Sequence, residues 1–352
     1  MKQSGLVHSF GKVVLWSTLL TLGLLVVMSV SITLGAADID VVTVWKVVFS
    51  KIPLIESWIT VDWKESTETI IWEIRLPRVI LGALVGAALA LAGAIYQGVL
   101  RNPLADPFIL GVSSGASFGA SLVIVFGWQI VWLGKFTLPF VAFIAGLISL
   151  LVVYYLATVN QKMRIETLIL SGVVVQAFLG ACLSLIMALS NEQLQTIVFW
   201  MMGSLSLTDW SYNQIVFPVI IVAVIIAYFF ARDLNMFGLG EEAAHHSGVS
   251  VQRSRIIMLV LASLITGAAV SVSGAIGFVG LVVPHIIRLI FGADYRIIIP
   301  LSVIGGAIFL VGADAFARTI MAPRELPLGI ITAFLGAPFF AYLLRKAKRG
   351  YF

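Results

Sequence analysis

Residues 76–99 read LPRVILGALVGAALALAGAIYQGV. After Arg78 no charge interrupts the run, and its apolar residues are continuous rather than alternating. About 20 such residues suffice for a helix to cross a bilayer. In lipid the backbone must bond to itself, which a helix achieves within one segment. Gly82, Gly86 and Ala90 recur at every fourth position. That small-residue spacing lets two helices approach closely where no hydrophobic effect separates protein from lipid.

The pattern repeats along the chain. About ten apolar segments lie near 13–35, 76–99, 108–128, 136–157, 167–190, 212–231, 256–275, 277–291, 297–320 and 326–344. Of 352 residues, 60% are hydrophobic and 11% charged, whereas a soluble domain carries about 25% charged residues. Most of the outer surface therefore faces lipid, and the expected fold is an all-α membrane protein of about ten transmembrane helices in a single domain, 1–352. The run 13–34 is too long for a secretory h-region and reads as a retained first span. Cys182 stands alone, and the four histidines show no ligand spacing, so neither an internal disulfide nor a metal site is expected.

The net charge of +5 needs no nucleic acid to explain it, because basic residues collect in cytoplasmic loops. Alternate loops carry Arg101; Lys162 with Arg164; Arg232 with Arg253 and Arg255; and Arg296, while Arg345, Lys346, Lys348 and Arg349 end the chain. The intervening loop 36–73 is mainly acidic: Asp38, Asp40, Glu56, Asp62, Glu65, Glu68 and Glu73 face only three lysines. This asymmetry predicts an N-in, C-in topology with 36–73 outside.

Four segments break the pattern of a lipid-facing helix. Arg75 and Arg78 flank Pro77 at the outer entrance of the second span, where either interfacial snorkelling or docking of an acidic partner accounts for them. In 101–107, RNPLADP, two prolines four residues apart force a rigid turn, either an ordinary connection or a constriction at the inner mouth. In 235–250, the helix-forming core Glu241-Glu242-Ala243-Ala244 lies between Gly240 and Gly248. It is a solvated loop helix or one shaped to sit in a partner's groove. In 273–288, Pro284 frees backbone groups that must be satisfied internally, and His285 is read as a packing residue. Asp314 and Arg318, four apart, share a helix face and are expected to pair.

Ordered motifs then identify a resemblance: RLPR at 75–78, NPLADP at 102–107, LGVSSGA at 110–116, WMMGSL at 200–205, LGEEA at 239–243, GFVGLVVPH at 277–285 and ELPLG at 325–329. The chain resembles the FecCD family of ABC-importer permeases, which serve iron–siderophore, haem and cobalamin uptake. The resemblance implies the type II ABC-importer permease fold in a bacterial cytoplasmic (inner) membrane. It implies a second permease copy or paralogue, a cytoplasmic ABC ATPase dimer and an extracytoplasmic substrate-binding protein as partners. It further implies docking of that binding protein at Arg75, Arg78 and Arg318, and ATPase coupling through Leu239, Gly240, Glu241, Glu242, Ala243 and Gly248. Asn102 and Leu104 fall where the family places its inner gate. No catalytic residue and no cofactor are expected in this chain: it has no G-x-x-x-x-G-K-[ST] motif, so ATP and Mg belong to the partner ATPase. The alternative, an ion-coupled secondary transporter, calls for acidic or histidine relays in mid-membrane, for which only Asp314 qualifies clearly.

Overall fold

The computed structural model describes residues 2–35, 37, 39–53, 55–159, 162–206 and 208–347. Asp38, Lys348 and Arg349 lie outside the described residues, as do the side chains of Lys162, Glu241 and Lys346. Apart from a two-residue antiparallel ladder pairing Thr158–Val159 with Lys162–Met163, the regular structure is helical. Helices α1 (Lys2–Thr33), α2 (Val41–Ser50) and α3 (Glu65–Thr69) precede a π-helical segment, Ile70–Arg75, that runs into α4 (Leu76–Val99). There follow α5 (Val112–Phe126), α6 (Thr137–Ala157), α7 (Ile165–Leu189), α8 (Leu194–Met201) and α9 (Trp210–Phe229). The rest comprises α10 (Ala231–Phe237), α11 (Glu241–His246), α12 (Val251–Ser273), α13 (Val279–Phe291), α14 (Tyr295–Thr319) and α15 (Leu328–Ala347).

Each apolar segment read from the sequence is a helix. Seven of the helices among the described residues are long and apolar enough to cross a membrane, while α5, α13 and α15 are shorter apolar helices. Two of the short ones begin late for a local reason. α5 starts after Gly111 and α13 after Phe278, both in the left-handed region at φ 78° and 70°. The Gly111 carbonyl accepts a 2.9 Å bond from Ser149 Oγ. Ser149 lies eight residues before the end of α6, so α5 begins about 12 Å inside the bundle at 1.5 Å per residue.

α4 is the central post. It packs against α9, α12, α13 and α14, and nearly all of its residues are buried. The glycines explain the closeness: a Cβ on Gly86 would stand 2.2 Å from the Gly306 carbonyl oxygen, and one on Gly93 would stand 1.8 Å from that of Gly280. Any side chain there would force α14 or α13 away, and the lost van der Waals contact has no hydrophobic replacement in lipid. α1 lies against α14 and leaves Leu15, Leu22 and Val26 exposed, as a lipid-facing helix should.

The segment 36–73 is more structured than a loop. α2, with the apolar sequence VVTVWKVVF, is capped by Asp40, whose carboxylate accepts the Val42 N–H at 3.1 Å. Val44 and Val47 pack with Ile32, Ile71, Val79 and Val311 in a small second core. The acidic balance of 36–73 masked this apolar stripe.

Candidate functional site

At the end of the bundle that carries α2, the three arginines singled out from the sequence come together, but they are turned inward. Arg75 is buried and donates to the carbonyls of Ile32 (2.7 Å), Thr33 (2.9 Å) and Ala37 (2.6 Å). Arg318, also buried, donates to the Ser31 carbonyl (3.0 Å), the Ser31 hydroxyl (2.8 Å) and the Leu34 carbonyl (3.2 Å). Apart from Ala37, which lies beyond the helix, these acceptors sit at the C-terminal end of α1, where the last carbonyls lack intrahelical partners and the helix dipole is negative. Two guanidiniums, from α4's entrance and α14, thus cap α1. Gly35 makes room: a Cβ on it would stand 2.7 Å from an Arg75 nitrogen.

Arg78 completes the cluster. Its guanidinium meets Asp314 at 2.8 Å and Glu325 at 2.9 Å. Asp314 also faces Arg318 at 3.1 Å, the pairing expected from their spacing. Sequence reasoning missed that Arg78 shares Asp314 from 236 residues away, and it missed Glu325. Among the described residues Arg78 and Arg318 share the two carboxylates, and Arg75 is met by backbone carbonyls alone. Only Glu325 is well exposed, at 40% of its side chain. Its carboxylate also accepts the Ser206 hydroxyl at 2.9 Å. The segment 200–205 closes the arrangement through its backbone: Ser204 N–H donates to the Ser273 carbonyl (2.8 Å), and the N–H groups of Leu328 and Gly329 donate to Gly203 and Met202 (both 2.9 Å). Three motifs far apart in sequence are therefore sewn together.

Deeper in the bundle, the carbonyls near Pro284 find their partner. Proline has no N–H to reach four residues back, so the Gly280 carbonyl is left free, and Gln97 Nε2 donates to it (3.3 Å) and to Leu281 (3.2 Å). Gln176 does the same for Phe108 and Ile109, both at 2.9 Å. The signal for both glutamines was present: a polar side chain inside an apolar run needs a partner. In the turn 102–107, Asn102 Oδ1 accepts the Leu104 N–H at 2.9 Å and its carbonyl accepts Ala105 at 3.1 Å. Asn102 thereby builds the turn and Leu104 is its exposed apolar tip. His285 packs near Phe340, with ring centroids 5.8 Å apart.

At the opposite end from α2, α10 and α11 form the segment 235–250. Gly240, at φ 104°, opens α11, and Gly248, at φ 79°, follows its last turn. Val249 N–H bonds to Ala244 and Gly248 N–H to His245, at 3.1 and 3.0 Å. This is the paired-bond termination that glycine in the left-handed region permits. Ala244 and Val249 are buried beneath it, while Leu239 and Glu242 are exposed. The attachment to the bundle is apolar through Leu234, Phe237, Ala244 and Val249 and polar through Asn235. Asn235 donates to Asp294 (2.7 Å) and accepts the Tyr295 N–H (2.8 Å), so the segment is bolted to the first turn of α14. Arg288 in turn donates to the Tyr295 hydroxyl at 2.7 Å.

A post of packed helices, a sealed charged cluster at one end and an anchored surface helix at the other define a polytopic transport subunit. The chain belongs to the FecCD transport family, whose model matches residues 23–346; its members are permease components of ABC importers. It is 50% identical over 282 residues to an uncharacterised ABC transporter permease, YvrB, of Bacillus subtilis, covering 80% of each chain. It is 46% identical over 286 residues to the cobalamin import permease BtuC of Halobacterium salinarum, covering 81% of this chain and 75% of that one. Over 335 residues it is 38% identical to the hemin transport permease HmuU of Yersinia pestis, covering 94% and 96%. A solved structure assigned to the metal-chelate type of ABC transporter, in an inward-facing conformation, superposes with a TM-score of 0.81 at 30% identity, covering 94% of this chain and 98% of that one. An ion-coupled secondary transporter is not favoured.

Proposed function

We propose that this chain is one half of the membrane channel of an ATP-driven importer for iron(III)–siderophore complexes or a related metal chelate such as cobalamin or haem. It sits multi-pass in a bacterial cytoplasmic (inner) membrane, N-in and C-in with ten crossings. A second permease copy or a paralogue completes the pathway. A cytoplasmic ABC ATPase dimer, which holds ATP and Mg, drives it, and an extracytoplasmic binding protein loads it. The relatives named for cobalamin and hemin transport support this substrate class.

The observation that carries the reading is the anchoring of 235–250 on α14. A force applied to α11 crosses the short link 238–240 to α10, whose Asn235 passes it to Asp294 and Tyr295. α14 has 25 residues and is therefore about 37 Å long, with Arg318 and the α1 cap near its other end. ATPase closure would thus be felt at the loading end. There, Arg78 is the docking arginine nearest the surface, and a carboxylate of the binding protein reaches it by taking the place of exposed Glu325. Arg75 and Arg318 contribute by holding α1 and the field of the cluster. Asn102 and Leu104 act as the inner gate, with Leu104 as the plug and Asn102 as its frame. The test is ATP-driven chelate uptake by the complete importer in proteoliposomes. Reversing Glu241 and Glu242 to Lys should abolish uptake while the permease remains folded and monodisperse; unchanged uptake removes the coupling role.

A further inference from the structure

Between the end of α9 and the start of α12 lies a cavity of about 290 Å³, lined by Phe230, Arg232, Asp233, Arg253, Ser254 and Ile257 among others. Arg232 and Arg253 are exposed, and among the described residues neither guanidinium has a hydrogen-bond or ion-pair partner. Asp233 is engaged by the Ser254 hydroxyl. The first turn of α12 carries no acid and Ser250 does not cap it, so Arg253 stands on the positive end of a 23-residue helix. The Asp233 carboxylate held at Ser254 offsets part of that charge, and with two guanidiniums against this one carboxylate the cavity lining stays net positive.

The two ends of the cavity differ. Ile257 lies four residues further into α12 than Arg253, about 6 Å deeper by helical rise, and Phe230 directly follows the last turn of the apolar helix α9. The cations therefore sit where two apolar helices emerge; Phe230 and Ile257 lie toward the helix interiors, and residues 247–250 close the cavity on the α11 side. A free anion would use the guanidiniums and leave Phe230 and Ile257 without purpose. An amphiphile uses both.

We infer that this cavity binds the phosphate of an anionic phospholipid headgroup, held by Arg232 and Arg253, with the start of an acyl chain against Phe230 and Ile257. The lipid would brace the joint between α9 and α12 beside α11. The test is native mass spectrometry of the full chain in detergent, equilibrated with equal amounts of phosphatidylglycerol and phosphatidylcholine. The chain should retain phosphatidylglycerol preferentially. Arg232→Gln with Arg253→Gln should cut that preference about 25-fold, at about fivefold per arginine near an anionic surface. Equal preference in both proteins overturns the proposal. So does displacement of the lipid by inorganic phosphate alone, which would make the site one for a free anion. Retained preference with lost binding of an ATPase partner also overturns it, because the arginines would then serve that contact. Should the double variant not fold, raising salt on the unaltered chain decides the matter: phosphatidylglycerol retention should fall and phosphatidylcholine retention should not, and a salt-independent preference overturns the proposal.

Discussion

Asp314 shows how differently two acids in one cluster behave. It is 2% exposed and faces both Arg78 and Arg318, whereas Glu325 touches Arg78 from a half-open position. Breaking a buried pair from one side leaves an uncompensated charge and costs about 3–5 kcal/mol; an exposed pair contributes only about 0.2–1 kcal/mol. Asp314→Asn should therefore lower the thermal midpoint of the purified chain markedly, and Glu325→Gln should barely change it. If binding-protein carboxylates displace Glu325, the same Glu325→Gln variant should bind that protein more tightly. Weaker binding would count against docking at Arg78. The i, i+4 spacing made the Asp314–Arg318 pair legible in sequence. The Arg78 and Glu325 contributions were hidden because α4, α14 and the segment before α15 meet only in the folded bundle.

Small residues decide how the elements meet. Gly86 and Gly306 touch backbone to backbone, while Gly180 on α7 has open space around it. Gly86→Val should therefore separate α4 from α14, costing about 1–3 kcal/mol by overpacking, and should reduce the yield of monodisperse protein. Gly180→Ala meets no obstacle and should be neutral or stabilise by up to about 1 kcal/mol through helix propensity. Equal behaviour of the two in thermal unfolding would show that the close approach is unimportant. The fourfold spacing of Gly82, Gly86 and Ala90 announced a packing face, but the identity of its partner helix could not be read from it. The short helices are a similar case. Pro284 announced free carbonyls, yet only the fold shows that Gln97 meets them, because that contact joins residues 183 positions apart.

Across the whole molecule, α14 links the surface helix to the arginine cluster. Asn235→Ala should remove the bolt at Asp294 while leaving both ends intact. In the reconstituted importer, ATP hydrolysis should continue and chelate uptake should fall several-fold; a parallel loss of both would point to misfolding, and no change would mean that force travels another way. Glycine bracketing at 240 and 248 made α11 visible in sequence, since a helix former between two left-handed positions has few other uses. Its anchoring was not visible, because nothing along the chain marks Asn235 as an anchor until Asp294 is brought beside it.

What the sequence determined alone was everything that follows from one-dimensional pattern: apolar runs long enough for lipid, basic loops alternating with an acidic one, turn chemistry at prolines and glycines, and ordered motifs that mark the family. These depend on neighbours in the chain and on the solvent each segment must face. The tertiary structure decided which charges are spent internally, which glycine meets which backbone, and that α2 carries a small core of its own. Those outcomes turn on distances between segments hundreds of residues apart, and in a medium where burial of apolar surface supplies little direction, only packing and polar pairing could choose among them.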